Sequence, residues 1–250
     1  MKTALVTGAS RGMGAAVCRK LVEDGLRVHG LARNGTALAE LKAELGQAFT
    51  YTVCDVTDPA ATRAALAGLE IDVLVNNAGK VTSVRPLVEQ DETEIAESIT
   101  LNLVAPLTLA RGLLPSMIAR GGGHIINITS TVVHGALGGT VLYSAAKAGL
   151  SHASTVLRYE LAGSNVRVTD IAPGRTETEF YLDSHGGDRE GLKSKMYTEH
   201  RPLRAADIAS AVSWAIAMPE HADIASIIIS PTDQALGGSV YATRNRQGAA

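Results

Sequence analysis

The chain has 250 residues, enough to bury one sizeable core, and its 23 basic and 25 acidic side chains nearly cancel. No run of Lys or Arg forms the cationic stripe that nucleic acid requires, and Cys18 and Cys54, outside any C-x-x-C or Cys/His spacing, exclude a disulfide framework. The apolar stretch near the N-terminus is too short for a signal peptide and no apolar stretch reaches membrane-spanning length, so a cytoplasmic protein with no nucleic-acid and no membrane partner is expected. Short β-branched runs at residues 3–7, 27–32, 49–53, 73–75, 124–129, 167–171 and 226–230 alternate with helical patterns at 14–24, 36–45, 59–69, 92–120, 143–162 and 206–218. That alternation predicts an α/β fold: a doubly wound parallel sheet of about seven strands with helices on both faces. No linker, low-complexity tract or repeat divides the chain, so residues 1–250 read as a single domain. Residues 179–203 interrupt the alternation with a polar stretch containing Gly186-Gly187, and a long excursion of this kind predicts a substrate lid. Residues 244–250 read as a frayed tail.

Thr7-Gly8-Ala9-Ser10-Arg11-Gly12-Met13-Gly14 follows the first strand directly and opens the first helix. Backbone N–H groups there can face a pyrophosphate, an approach that side chains would block; close strand–helix packing alone would also explain the glycines. After the fourth strand comes Asn76-Asn77-Ala78-Gly79. Further on, Tyr143-Ser144-Ala145-Ala146-Lys147 opens a helix, and the spacing of four puts phenol and ammonium on one face. A phenol with a pKa of about 10 is a poor acid–base catalyst near neutrality, and a nearby cation favours its ionised form. Taken alone, the pair reads equally as a helix anchor and a solvated lysine. Ser130 stands thirteen residues before the tyrosine, at the end of a strand.

In this order and at these separations, the G-x-x-x-G-x-G turn, N-N-A-G, Ser130 and Y-x-x-x-K resemble the short-chain dehydrogenase/reductase family, and the resemblance runs from Lys2 to about Gln234. It implies a Rossmann-like fold whose one domain binds a dinucleotide and carries the catalytic groups. Gly8, Ser10, Arg11, Gly12, Met13 and Gly14 would hold the cofactor phosphates, and Asn77, Ala78 and Gly79 the adenosine. In Leu31-Ala32-Arg33-Asn34, the position where an NAD-selective site places an acid for the ribose hydroxyl has none. Arg33 can pair instead with a 2'-phosphate, although an arginine also solvates a strand end well. Arg11 resembles the second basic residue of the family's NADP-preferring members, so the implied cofactor is NADP(H). Asp55 and Val56 resemble the adenine contact, with capping of the next helix as the other reading of Asp55. Pro173, Gly174, Thr176 and Thr178 resemble the segment that holds the nicotinamide carboxamide.

The implied chemistry is hydride transfer between nicotinamide and a carbonyl or alcohol carbon. Tyr143 would exchange the proton and Ser130 polarise the oxygen. Lys147 would hold the nicotinamide ribose and assist Tyr143, while Asn102 would bend its helix and support a proton-relay water, or serve only the bend. Seven histidines show no paired ligand spacing, so no metal is expected. Readings of another class are a non-catalytic NADP(H) sensor and a lyase or epimerase, for which His134 or His185 would supply the extra acid–base group.

Instead of the glycine-rich terminus common in the family, the chain has Thr178-Glu179-Phe180, Gly187-Asp188, Pro202-Leu203, Ala206-Asp207-Ile208-Ala209, Trp214, Pro219, His221, Ile224 and Pro231-Thr232-Asp233-Gln234. These resemble a branch holding 3-hydroxy acid and serine dehydrogenases, malonic semialdehyde reductases and clavulanate-type aldehyde reductases. Small polar substrates of aldehyde, semialdehyde or 3-hydroxy acid type are implied. Two positions depart from the branch: Ser184-His185 stands where hydroxy-acid members carry arginine, and Val133 where many relatives carry glycine. Arg175, Arg189, Lys193 and Lys195 remain as anion partners or as solvated charges. Trp214 reads as core or interface. The resemblance also implies a homo-oligomer, a tetramer before a dimer, through helices 92–120 and 143–162.

Overall fold

Successive residues of a strand face opposite sides, and in this chain both sides are apolar. In β1 (Thr3–Thr7), Ala4 and Val6 enter one buried cluster and Leu5 the other. β4 (Val73–Asn76) divides likewise, Val73 and Val75 against Leu74, and β5 (Gly123–Ile128) places Ile126 and Ile128 against Ile125. Such strands are stable only with cover on both faces. The computed structural model, which describes residues 1–178, 188, 190–191 and 201–234, supplies that cover.

The helices are α1 (Gly12–Glu23), α2 (Gly35–Leu45), α3 (Pro59–Leu66), α4 (Glu92–Ile99), α5 (Ala105–Ala119), α6 (Val141–Glu160) and α7 (Ala205–Ala217). Leu21 of α1, Leu38 of α2 and Val212 of α7 pack on one face of the sheet; Leu109, Leu113 and Met117 of α5 pack on the other. With β2 (Arg27–Ala32), β3 (Phe49–Val53), β6 (Val166–Pro173) and β9 (Ser226–Ile229), the seven strands run β3-β2-β1-β4-β5-β6-β9, all parallel. The order reverses between β1 and β4. In a doubly wound sheet the crevice beyond the carboxyl ends at that reversal is where ligands bind.

A second, two-stranded parallel sheet joins β7 (Thr176–Glu177) to β8 (Leu203–Arg204). Two-residue strands have no period to read, so no pattern announced them. Most of the predicted lid at 179–203, with Ser184, His185, Arg189, Lys193 and Lys195, and the tail at 244–250 lie outside the described residues.

The predicted helix 92–120 is two α-helices joined by a π turn at Thr100–Val104. As one rod, Glu92–Ala119 spans 28 residues with a window of mean hydropathy 1.3, long and apolar enough to cross a membrane. This corrects the expectation that no segment reaches that length, which arose because Asn102 and Arg111 interrupt the apolar run. The rod's apolar side chains have a partner within the fold, since Leu109, Leu113 and Met117 lie under the sheet. Trp214 is 55% exposed on α7, so of its two readings the core one does not hold.

Arg167, 6% exposed on β6, caps the far end of α7. Its guanidinium donates to the carbonyls of Ala215, Met218 and Ala222 through Nη1 (3.1, 3.3 and 3.3 Å) and of Ile216 through Nη2 (3.2 Å), satisfying groups a helix C-terminus leaves open. Arg167→Met is expected to cost about 3 kcal/mol, the scale for stranding buried partners of a charged donor. A urea titration with unchanged slope would read that loss; a change below about 0.5 kcal/mol would mean water satisfies the carbonyls.

Candidate active site

Gly8 leaves β1 at φ +66°, a conformation that glycine adopts without strain. Gly14, at the start of α1, touches the same turn from beneath: a Cβ there would stand 2.2 Å from the Gly8 carbonyl oxygen and 2.6 Å from Asn77 Nδ2. The turn therefore packs on the helix and also stays open above it, and the two readings of its glycines hold together. Asn77 fastens it to the neighbouring strand, donating from Nδ2 to Thr7 O at 2.8 Å, while Thr7 Oγ1 accepts from the N–H of Asn77 (3.0 Å) and of Ala78 (2.9 Å).

Above the turn lies a cleft of about 670 Å³. It is lined by Gly8, Ser10, Arg11, Gly12, Met13, Arg33, Asp55, Val56, Asn77, Ala78, Gly79 and Thr178, so most of the expected cofactor residues meet in one place. Gly14 is the exception among the turn's expected cofactor residues, lying below rather than lining the cleft. Arg33 is 74% exposed at the rim, its Nη1 3.8 Å from Asp55 Oδ2. Burial raises the Asp55 carboxyl pKa, but bonds from Thr57 N (2.9 Å) and Oγ1 (2.7 Å), with Arg33 and Lys80 nearby, outweigh burial and leave it below the ordinary value. The capping reading of Asp55 is corrected: Asp58 caps α3, accepting from Ala60 N and Ala61 N, and Asp55 closes its own turn.

A smaller cavity of about 40 Å³ adjoins the cleft and shares Met13, Asn77, Gly79 and Thr178 with it. Ser130, Tyr143, Lys147, Pro173, Gly174 and Thr176 complete its wall with Ile128 and Thr129. Tyr143 and Lys147 sit one turn apart on α6, both buried, with Lys147 Nζ 5.9 Å from the phenol ring centroid. The ammonium donates to Ile128 O at 2.8 Å. Burial pulls its pKa down to about 8, opposed by the Asp170 carboxylate. Asn102, fully buried in the π turn, donates from Nδ2 to Lys80 O and Ser98 O (3.0 Å each) and accepts from Lys80 N at 3.2 Å. A Cβ on Gly79 would stand 2.7 Å from Asn102 Oδ1 and 3.3 Å from Lys147 Nζ, so Asn102 and Lys147 crowd the same glycine.

Some expected neighbours are elsewhere. His134 is exposed and Val133 lies in the turn behind Ser130, donating its N–H to Ser130 O at 3.2 Å; neither lines the cleft or the small cavity. His185 lies outside the described residues. The sequence reading missed Lys80, Glu97, Thr100 and Leu101 on the cleft wall and Thr129 in the small cavity. Lys80, Leu101 and Thr129 directly follow or precede recognised residues, a signal that was available; Glu97 and Thr100 carried none.

The profile of the short chain dehydrogenase family matches residues 2–185. The chain belongs to that family. Serine 3-dehydrogenase of Rhizobium radiobacter is 38% identical over 241 residues, 94% of this chain and 96% of the relative. The NADP-dependent 3-hydroxy acid dehydrogenase YdfG of Escherichia coli (strain K12) is 36% identical over 240 residues, with the same coverage. Among solved structures, the closed form of serine dehydrogenase complexed with NADP+ superposes with a TM-score of 0.91 at 35% identity, covering 97% of this chain and all of that one. This short-chain dehydrogenase therefore falls in the branch that its C-terminal residues resemble.

Because Gly14 meets backbone atoms, which cannot swing aside, Gly14→Ala is expected to weaken NADPH binding at least tenfold. Titration of nicotinamide fluorescence checks this, and affinity within twofold of the parent would show that the turn can shift to admit a methyl group.

Proposed function

We propose that this chain is an NADP(H)-dependent oxidoreductase that interconverts a carbonyl and an alcohol in a small polar substrate of aldehyde, semialdehyde or 3-hydroxy acid type. The observation that carries the reading is the buried Lys147–Tyr143 pair, which shares a cavity with Ser130 next to a cleft of dinucleotide size. Relatives named as NADP-dependent and serine or 3-hydroxy acid dehydrogenases support the cofactor and substrate class. The cleft suits the cofactor because its floor is a turn in which a Cβ at Gly8 or Gly14 has no room and its rim carries Arg33. Gly8, Ser10, Arg11, Gly12 and Met13 would hold the phosphates, Arg33 and Arg11 the 2'-phosphate, and Asp55, Val56, Asn77, Ala78 and Gly79 the adenosine. Pro173, Gly174, Thr176 and Thr178 would hold the carboxamide. When bound, NADP(H) supplies or accepts the hydride.

The chain's own groups handle the oxygen and its proton. Ser130 donates to the substrate oxygen and fixes its direction. Tyr143 gives that oxygen its proton in reduction and takes it back in oxidation. Lys147 keeps positive charge beside the phenol and would hold the nicotinamide ribose. Asn102, braced on both backbone groups of Lys80, orders the water that resupplies Tyr143. A homotetramer is the assembly we favour, with exposed Val104, Ile118, Val156 and Tyr159 on α5, α6 and the π turn as apolar surface for it. Two buried free cysteines fit a cytoplasmic location.

NADPH oxidation at 340 nm across small aldehydes, ketones and semialdehydes, with NADP-driven oxidation of serine and 3-hydroxy acids, tests the reading. Turnover should fall at least a thousandfold in Tyr143→Phe, and reduction should decline above about pH 8, where Lys147 loses its proton. Lys147→Arg, whose cation persists, should move that alkaline limb upward by more than one pH unit. Tight NADPH binding without turnover on any compound would favour a sensor instead. Arg33→Asp is expected to raise KM for NADPH at least tenfold more than KM for NADH; equal effects on both would remove Arg33 from the 2'-phosphate.

A further inference from the structure

Asp170 is a carboxylate that the chemistry above does not use. It lies on β6 opposite Asn127 of β5, is 3% exposed, and has no ion pair among the described residues. A buried carboxylate is costly unless its oxygens are satisfied. Here each oxygen accepts a hydroxyl from a different element: Oδ1 from Thr129 Oγ1, Oδ2 from Ser151 Oγ.

Those two hydroxyls are placed at informative positions. Thr129 directly precedes Ser130 and lines the small cavity, and its backbone N–H donates to Ile171 O at 2.7 Å. Ser151 is one turn beyond Lys147 on α6, on the same face of the helix. The carboxylate thus spans the two elements that carry the groups assigned to the reaction: the end of β5 with Ser130, and α6 with Tyr143 and Lys147. A charge-assisted hydrogen bond is shorter and more directional than a neutral one, which suits it to setting a distance. The negative charge also opposes the effect of burial on Lys147.

We propose that Asp170 is a positioning residue, whose carboxylate bolts α6 to the end of β5 and so fixes Tyr143 and Lys147 relative to Ser130. The proposal rests on the assignment of those three residues to the chemistry. If the carboxylate works as one bolt, cutting either end releases both elements, and cutting the second end changes nothing more. A misplacement of reacting groups by about 1 Å can cost as much as a hundredfold in rate.

The experiment measures kcat, KM for NADPH and the thermal midpoint for Ser151→Ala, Thr129→Val and the double variant, on the carbonyl compound that the parent reduces fastest. Each single change should lower kcat about tenfold with KM for NADPH within twofold, and the double should be no slower than the worse single. Ser151→Thr, which keeps a hydroxyl, should retain at least a third of the parent kcat. Parent-like kcat in Ser151→Ala, or a double variant slower by the product of the singles, would overturn the bolt. So would a lower thermal midpoint with kcat intact, which marks a purely structural contact. Parent turnover that Tyr143→Phe abolishes while Ser151→Ala leaves it unchanged sinks this inference alone; turnover indifferent to Tyr143 sinks the catalytic assignment with it.

Discussion

A lysine ammonium withdrawn from water is the most demanding group in this site, and much of its surroundings follow from keeping Lys147 there. Burial pulls its pKa down, and with the Asp170 charge acting against burial the value stands at about 8. Against that, the ammonium has the carbonyl of Ile128, left free because β5 ends there, and the charge of Asp170 one strand away. The same confinement explains Gly79, since any side chain there would collide with Asn102 and press on the ammonium. A motif glycine, a helix irregularity and a strand end are thus parts of one packing problem.

The sheet's topology makes that problem soluble. Parallel strands end on one edge, so the carbonyls, hydroxyls and amides of β1, β4, β5 and β6 collect beside the reversal in strand order. Polar groups buried at that edge bridge between elements. Asn76 Nδ2 donates to Asn127 Oδ1 at 2.8 Å, and Asn127 Nδ2 to Ser154 Oγ at 2.8 Å, which links β4 and β5 to α6 a turn beyond Ser151. Since buried polar groups are expensive when half satisfied, such bridges favour one seating of α6 over others.

Much of this was legible from sequence because the relevant signals are local. Strand alternation predicted all seven strands of the main sheet within two residues at their ends, and the turn, tetrapeptide and Y-x-x-x-K pointed to residues that do line the two cavities. What escaped notice was either too short or too distant. β7 and β8 pair across residues 176 and 203, and no local pattern encodes a two-residue strand. Asp170 belongs to no local motif, and its meaning came only from hydroxyls 41 and 19 residues away. The rod Glu92–Ala119 misled in the other direction: its helical pattern was legible, but counting unbroken apolar runs, which Asn102 and Arg111 interrupt, hid that it is apolar enough to cross a membrane.

The two halves of the site differ in how they are held, and this bears on what can vary independently. Tyr143, Lys147 and Asn102 are buried, Lys147 tied to the end of β5 and Asn102 to the loop after β4 and to α4, so altering one disturbs its neighbours. Arg33 is at the rim, largely exposed, and its 3.8 Å contact with Asp55 is of a kind that contributes little in water. Asp55 is anchored by Thr57 and stays where it is, whereas the Arg33 side chain can leave it for a dianionic phosphate, a stronger and geometrically better partner. Under the proposed assignment, cofactor choice rests on an exposed surface cation that can be exchanged at little structural cost, while the proton chemistry rests on a buried network in which each part constrains the next.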